Sequence, residues 1–263
     1  MTDPAEVAAR IRRAASAFMV EWVEGLRELP GNPSRVSVER FGTTVALACE
    51  ELPELDFVNS VHGLTAGHAE PVTAFYRGFG LRGWTEVAPG PGAPELMEQL
   101  TACGWAQTGF WCSFHGPAVA PPVPEGVEVV EAAEGDMADF ARIHLDGHEV
   151  PGEDRGSAEA AVRAWFGRPG WRLYLALVDG TPAGSAALTV DAGLGYLANA
   201  ATLPAMRGRG CQTALLARRI ADAAAAGCDT VASLAEFGTG SQRNLERAGL
   251  RVAFTQAVWR MGP

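Results

Sequence analysis

A charge-free strand that runs into an arginine-glycine turn and then into an apolar-faced helix constrains this chain more than any other stretch. Leu194-Gly-Tyr-Leu-Ala-Asn-Ala-Ala-Thr-Leu203 carries no charge and is closed by Pro204. Arg207-Gly208-Arg209-Gly210-Cys211-Gln212 comes next, and then Thr213 to Ala226, with Leu215, Leu216, Ile220 and Ala223 or Ala224 at helical spacing. The order reads strand, tight basic turn, helix. Glycines let the backbone approach a ligand closely, the free N–H groups of a helix's first turn point outward, and the helix dipole favours an anion there. Two arginines add charge-assisted donors, so the stretch suits phosphate. A solvated basic loop is the alternative reading of the same residues.

At 263 residues, 48% of them hydrophobic, the chain can bury one large core or two ordinary ones. No apolar run reaches the roughly 18 residues of a membrane span, and the N-terminus lacks a charged-then-apolar leader, so a cytoplasmic protein is expected. All 21 basic residues are arginine. The absence of lysine excludes Schiff-base chemistry, a Walker phosphate loop and a Ser-Lys pair. A net charge of −10 disfavours nucleic acid and anionic membranes as partners and suits the attraction of a cationic small molecule. Cys49, Cys103, Cys112, Cys211 and Cys228 are widely spaced, odd in number and without a CxxC. They indicate neither a disulfide framework nor a metal site, and read as buried free thiols.

The first half reads as a helix over residues 3–29, with Asp3 as N-cap, Pro4 at the first helical position and Glu6 completing a capping box. Strands follow over 34–41, 43–50 and 56–64, then a helix over 70–77, a strand over 84–88, a helix over 94–103 and a strand over 106–115. Residues 116–126 hold four prolines in eleven positions and no periodicity, which marks a linker at 117–125 between domains 1–116 and 126–263. The second half reads as strand 127–131, helices 137–144 and 157–166, strand 171–178, a turn at Asp179-Gly180-Thr181 and strand 183–190. After the central strand and helix come strand 230–237, helix 241–248 and strand 251–261. Both halves end alike: Leu100-Thr-Ala-Cys-Gly104 and Leu245-Glu-Arg-Ala-Gly249 each lead into an aromatic-rich strand, which suggests an internal duplication.

The spacing Arg-x-x-Gly-x-(Gly/Ala) between a strand and a helix resembles the pyrophosphate-binding motif of the GNAT superfamily of N-acyltransferases, with Gln212 where Gly or Ala is usual. Ser241-Gln-Arg-Asn244-Leu-Glu-Arg-Ala-Gly249-Leu resembles the family's second segment, a Ser-capped helix running into Gly-Phe. Leu245 stands where many members carry a thiolate-protonating Tyr, and Leu250 replaces the Phe. The resemblance implies an α/β (α+β) fold of two tandem GNAT-like domains, each a mixed, mostly antiparallel sheet flanked by helices. The first is degenerate, because Leu64 to Pro71 offers no Arg and no Gly-x-Gly. It implies acetyl-CoA or another acyl-CoA as cosubstrate, held by Arg207, Gly208, Arg209, Gly210, Cys211, Gln212 and Thr213, with Ser241 and Asn244 as further contacts. In this family the central strand splays from its neighbour, and by position the exposed backbone belongs to Ala200, Ala201 and Thr202.

Transfer from a thioester to an amine needs a neutral amine and a donor to the developing oxyanion. Thr202 contributes to the second requirement, and Glu236, at the end of the next strand, is the candidate base; placing negative charge ahead of a helix is its alternative role. Asn59 and His62 are candidates for lining an acceptor pocket shared between the halves, or are local hydrogen-bonding residues in a strand. His148 and Glu149, with His144 and the acidic residues Asp146, Glu153 and Asp154, lie in the region that shapes the acceptor site in this family, and otherwise form a solvated surface. Three functions follow: an acyl-CoA-dependent N-acyltransferase on a small-molecule amine, an amide-forming transferase drawing on an acyl carrier protein, and a non-catalytic coenzyme-binding module.

Overall fold

The computed structural model describes residues 4–150, 152 and 155–262. Its helices are α1 (Pro4–Arg27), α2 (Ala69–Phe79), α3 (Ala93–Ala102), α4 (Met137–Gly147), α5 (Arg155–Arg163), α6 (Cys211–Ala225) and α7 (Gly240–Arg247). Its strands are β1 (Val36–Phe41), β2 (Thr44–Cys49), β3 (Ser60–His62), β4 (Trp84–Val87), β5 (Trp105–Pro117), β6 (Val127–Glu131), β7 (Trp171–Val178), β8 (Thr181–Asp191), β9 (Leu194–Thr202), β10 (Thr230–Glu236) and β11 (Arg251–Met261). Asp3, expected to cap α1 with Glu6, lies outside the described residues. No helix among the described residues is long and apolar enough to cross a membrane.

The chain forms two compact units that are not consecutive halves. One contains Ser16–Cys112 and Phe254–Pro263, the other Met1–Ala15 and Ser113–Ala253. In the first, strands run in the order β1-β2-β3-β4-β11, with β3 and β4 parallel and the other pairs antiparallel. Val61, Val72, Tyr76, Leu96, Leu100 and Trp105 share its core with Ala257, Trp259 and Met261. Those last three alternate along β11, as one face of a strand must. The expected strand over 56–64 shrinks to Ser60–His62, because residues 56–58 coil into a 3-10 turn: the Asn59 N–H donates to the Asp56 carbonyl, its side chain to the Leu55 carbonyl, and the Ser60 hydroxyl to the Phe57 carbonyl.

The second unit orders its strands β6-β7-β8-β9-β10, antiparallel except for the parallel pair β9 and β10. Two-residue turns, Asp179-Gly180 and Ala192-Gly193, join β7 to β8 and β8 to β9, and all four residues have positive φ. That geometry matches the twist of a hairpin and is why Gly occupies each second position. Helix α6 lies on the sheet through Leu215, Ile220 and Ala223, all fully buried. A polar clasp adds to this contact: the Tyr174 hydroxyl donates to Asp222 at 2.8 Å, and Arg218 and Arg172 reach the same oxygen at 2.9 and 3.1 Å. Burial and then the Asp222 hydrogen bond push the Tyr174 hydroxyl well above the usual phenol range.

The approach of α6 to β9 requires a residue without a side chain at 195. A Cβ on Gly195 would stand 2.6 Å from Cβ of Ala223. Gly195→Ala is therefore expected to lower stability by about 1–3 kcal/mol, as overpacking does; chemical denaturation measures it, and an unchanged midpoint would mean that α6 shifts without cost.

Candidate functional site

The site grows out of the way β9 ends. Its parallel ladder with β10 comprises Leu194↔Thr230, Gly195↔Val231 and Tyr196↔Ala232 and goes no further, although β9 runs on to Thr202 and β10 to Glu236. The Ser233 hydroxyl donates to the Leu197 carbonyl at 2.7 Å just past the last rung. On its other edge β9 pairs with β8, but Ala187↔Ala198 is followed by Ser185↔Ala201, so Asn199 and Ala200 oppose Ala186 alone. This β-bulge is built by Asn199 at φ 44, a conformation that Asn tolerates better than most side chains. Ala200 belongs to the bulge, Ala201 and Thr202 lie beyond it, and all three lie beyond the end of the β9–β10 ladder. Ala200 is half-buried there, while Ala201 and Thr202 are buried beside the end of α4. Ser185, opposite Ala201, is fully buried and its hydroxyl has no protein hydrogen-bond partner.

The turn that follows is shaped by two left-handed glycines and runs straight into a helix start. Gly208 and Gly210 have φ of 80 and 88, and no side chain caps α6, whose first turn is Cys211, Gln212 and Thr213. A Cβ on Gly210 would press on Pro124 at 3.2 Å, so the end of the proline-rich segment packs under the turn. Arg207 donates to the Gly147 carbonyl at 3.1 Å and pairs with Glu149 at 3.2 Å; Arg209 pairs with Asp179 at 3.1 Å. All four charged side chains are exposed, and pairs of this kind are worth about 0–1 kcal/mol, so an arriving anion can take over the guanidinium groups. Gln212 turns inward and donates to the Thr202 hydroxyl at 2.9 Å, joining the first turn of α6 to the end of β9 instead of reaching toward a ligand. Cys211 is buried, and burial raises its thiol above the ordinary value in spite of Arg209 nearby.

Helix α4 delivers the third component. It extends to Gly147, where a Cβ would lie 2.8 Å from Cβ of Ala201 and 3.0 Å from the Thr202 nitrogen, so the helix end touches the strand end backbone to backbone. His148 and Glu149 follow at the surface, Glu149 with φ 57. His144 is buried against Trp165 and stacks on His148, with ring centroids 4.5 Å apart and its Nδ1 unpartnered. Burial and then His148 hold the His144 imidazole well below its ordinary range; desolvation and then Arg207 lower His148 as well. Both rings are therefore neutral bases at neutral pH. The acidic loop is no free cluster: Asp146 pairs with Arg155 at 2.6 Å and Glu149 with Arg207, while Glu153 and Asp154 lie outside the described residues. No group of His, Cys, Asp or Glu able to hold a metal occurs among the described residues.

Glu236 is exposed at the C-terminal end of β10, the same end at which parallel β9 presents Thr202. The N-cap of α7 is Thr239, in extended conformation, whose hydroxyl accepts from the Gln242 N–H at 3.4 Å. Ser241, expected to be that cap, is an exposed residue inside the first turn, and Asn244 is half-buried one turn on. In the other unit, Asn59 is fully buried with both ends of its amide used: Oδ1 accepts from the Cys49 N–H at 2.8 Å and Nδ2 donates to the Leu52 carbonyl at 2.7 Å. It braces a loop and is closed to an acceptor. His62 is half-buried, bonds Ser60 at 2.9 Å, and is pushed down to about 4 by burial.

Sequence reasoning missed Asn199 and Gly147. The signal for the first was an Asn inside an otherwise uncharged strand, and for the second a Gly placed directly before His148. Residues 137–250 match the model of the Acetyltransferase (GNAT) family. The chain is similar in fold to a GCN5-related N-acetyltransferase from Kribbella flavida, with a TM-score of 0.66 and 17% identity over 96% of this chain and 95% of that one. It is similar also to a putative GNAT-family acetyltransferase from Novosphingobium aromaticivorans, with a TM-score of 0.57 and 19% identity over 92% and 96% of the two chains. A tandem GNAT protein from the clavulanic acid biosynthesis pathway gives a TM-score of 0.61 and 16% identity over 92% and 88%. No curated protein matches the chain. The matched stretch, residues 137–250, holds the glycine-arginine turn, the bulged strand and the parted ladder, and the chain as a whole shares the fold of these acetyltransferases.

Proposed function

We propose that this protein transfers an acetyl or other short acyl group from acyl-coenzyme A to the amine of a small molecule, by direct attack within a ternary complex. The observation that carries this reading is the meeting, within one unit, of an uncapped helix start behind two positive-φ glycines with a strand that has parted from its parallel neighbour. The turn, with Arg207 and Arg209, would bind pyrophosphate. The free edge of Ala200 to Thr202 would hold the pantetheine arm and donate to the thioester oxygen as negative charge develops there. Glu236 would take the proton of the incoming ammonium, directly or through water. Leu245 is buried and cannot donate a proton, so the thiolate leaves unprotonated or through water, which a leaving group of pKa about 8.5 permits near neutral pH.

We further read the first half as a degenerate copy of the second. Supporting this, the strand order β1-β2-β3-β4 repeats the order β7-β8-β9-β10, antiparallel twice and then parallel. The counterpart of the phosphate turn, Gly63 to His68 between β3 and α2, has no arginine.

Incubation with acyl-CoA and a panel of amines, followed by release of free thiol, tests the activity; no thiol above the hydrolysis rate with any amine would sink it. Coenzyme A should bind once per chain, and Arg207→Ala with Arg209→Ala should weaken it several-fold or more, since a charged hydrogen bond contributes about 1.5–3 kcal/mol. Calorimetry reads both stoichiometry and affinity, and an unchanged affinity would remove the arginines from the site. Glu236→Gln should lower kcat by about 10²- to 10⁴-fold with little change in coenzyme affinity. Protein quenched during turnover should carry no acyl group on Cys211 by mass spectrometry; a trapped acyl-cysteine would replace direct attack with a two-step route.

A further inference from the structure

Between the apolar residues by which α6 meets its sheet sits one charged side chain. Arg219 is 1% exposed, and it falls at helical spacing between Leu215 and Ala223. Its guanidinium is spent on carbonyl oxygens: Nε donates to Leu215 at 3.1 Å, and Nη1 donates to Ala187 at 3.1 Å and to Ala198 at 3.2 Å. Burial pushes it down to about 10, so it is charged at neutral pH. Taking such a charge out of water costs several kcal/mol, and hydrophobic residues of similar volume are often as good or better for stability. The position therefore calls for an account other than packing.

The two carbonyls that Nη1 holds belong to one rung. Ala187↔Ala198 is the last pair of the β8–β9 ladder before the bulge, and Asn199, in its positive-φ conformation, is the next residue. On its other edge β9 has already lost β10, whose last rung is at Tyr196. Residues 199–202 are thus held by β8 on one side, past an irregularity that weakens the ladder. A planar fork that ties both strands of that rung to a helix limits how the strand can settle beyond it.

We propose that Arg219 is a positioning residue for acyl transfer: by fastening Ala187 and Ala198 to α6 it fixes the bulge and aims the backbone of Asn199 to Thr202 at the thioester. The role rests on the acyltransferase reading above. Arg219 touches no reacting atom and acts through the strand, so its removal should lower kcat while leaving the phosphate turn intact.

The test compares the full-length wild type with Arg219→Met, Arg219→Lys and Arg218→Met. Arg218, the adjacent residue, pairs with Asp222 at the surface of the same helix and serves as the control. Thermal stability, backbone hydrogen exchange, coenzyme A affinity, and kcat and KM with acetyl-CoA are measured on each. For Arg219→Met the expected result is a folded protein with coenzyme affinity close to wild type. Its exchange is faster in a peptide spanning 197–203 and unchanged in β7, and its kcat is lowered by up to about 100-fold, the cost of slight misplacement. Arg219→Lys, which keeps the charge but not the fork, should recover part of the rate, and should Arg219→Met fail to fold it carries the same comparison. Arg218→Met loses one arm of the Asp222 clasp and the bond to the Val129 carbonyl, so a small fall in thermal stability is expected, with wild-type exchange over 197–203. Wild-type exchange over 197–203 in both Arg219 variants, or a loss of rate matched by loosened exchange throughout the sheet, would overturn the proposal. A wild type that acylates no amine would overturn the acyltransferase reading and the catalytic role together, while the exchange comparison would still report whether Arg219 holds the bulge.

Discussion

Two parallel strands that start together and then part leave backbone N–H and C=O groups without partners, and a folded chain seldom leaves such groups unpaired away from water. β9 and β10 part after three rungs. The Ser233 hydroxyl compensates part of the loss by taking the Leu197 carbonyl, while Gln212 donates to the Thr202 hydroxyl and Gly147 brings the end of α4 close to the Thr202 backbone. Past the last rung the edge of Ala200 to Thr202 is not laddered to β10. The bulge at Asn199 turns that edge, and the turn at Gly208 to Gly210 stands at the end of the same strand. Backbone groups held in this way need no reorganisation when charge develops beside them, which is the physical basis of the role proposed for this edge.

The charge pattern follows from the same economy of groups. With arginine as the only strong base, every cation in the chain is permanently charged and has a planar fork. At the turn the forks are parked on exposed carboxylates, Glu149 and Asp179, in pairs weak enough to exchange. In the interior the fork of Arg219 instead holds carbonyls, and there the lost hydration is offset by three short bonds to the main chain. The same residue type therefore sits in exchangeable surface pairs in one place and fastens a strand in another, and solvent access decides which.

The last strand shows how a core can be completed from far along the chain. Ala257, Trp259 and Met261 lie in the core of the unit built mainly from residues 16–112, and β11 pairs with β4 through Ala257↔Val87 to Arg260↔Trp84. The sequence marked residues 251–261 as an aromatic-rich strand, and its apolar residues alternate onto one face. Which sheet that face would cover was not marked there, because an apolar strand face carries no address: burial is non-directional, and register is settled by the partner strand.

Local rules determined most of the elements and the glycine turn before α6 from the sequence by itself. Asp179-Gly180 makes a hairpin turn because only certain residues accept two successive positive φ values, Leu215, Ile220 and Ala223 make a helix face by spacing alone, and Gly208 and Gly210 allow a backbone shape that few other residues adopt. Tertiary structure decided where polar side chains went. Asn59 disappeared into a loop, Gln212 turned back to Thr202, Thr239 rather than Ser241 capped α7, and of two neighbouring arginines Arg219 was buried while Arg218 stayed at the surface. The physical reason is one of range. A turn or a helix face is set by torsions and spacing within a few residues, whereas a hydrogen bond is formed by whichever partner folding brings within about 3 Å, and for Arg219 those partners lie 21 and 32 residues away on two different strands.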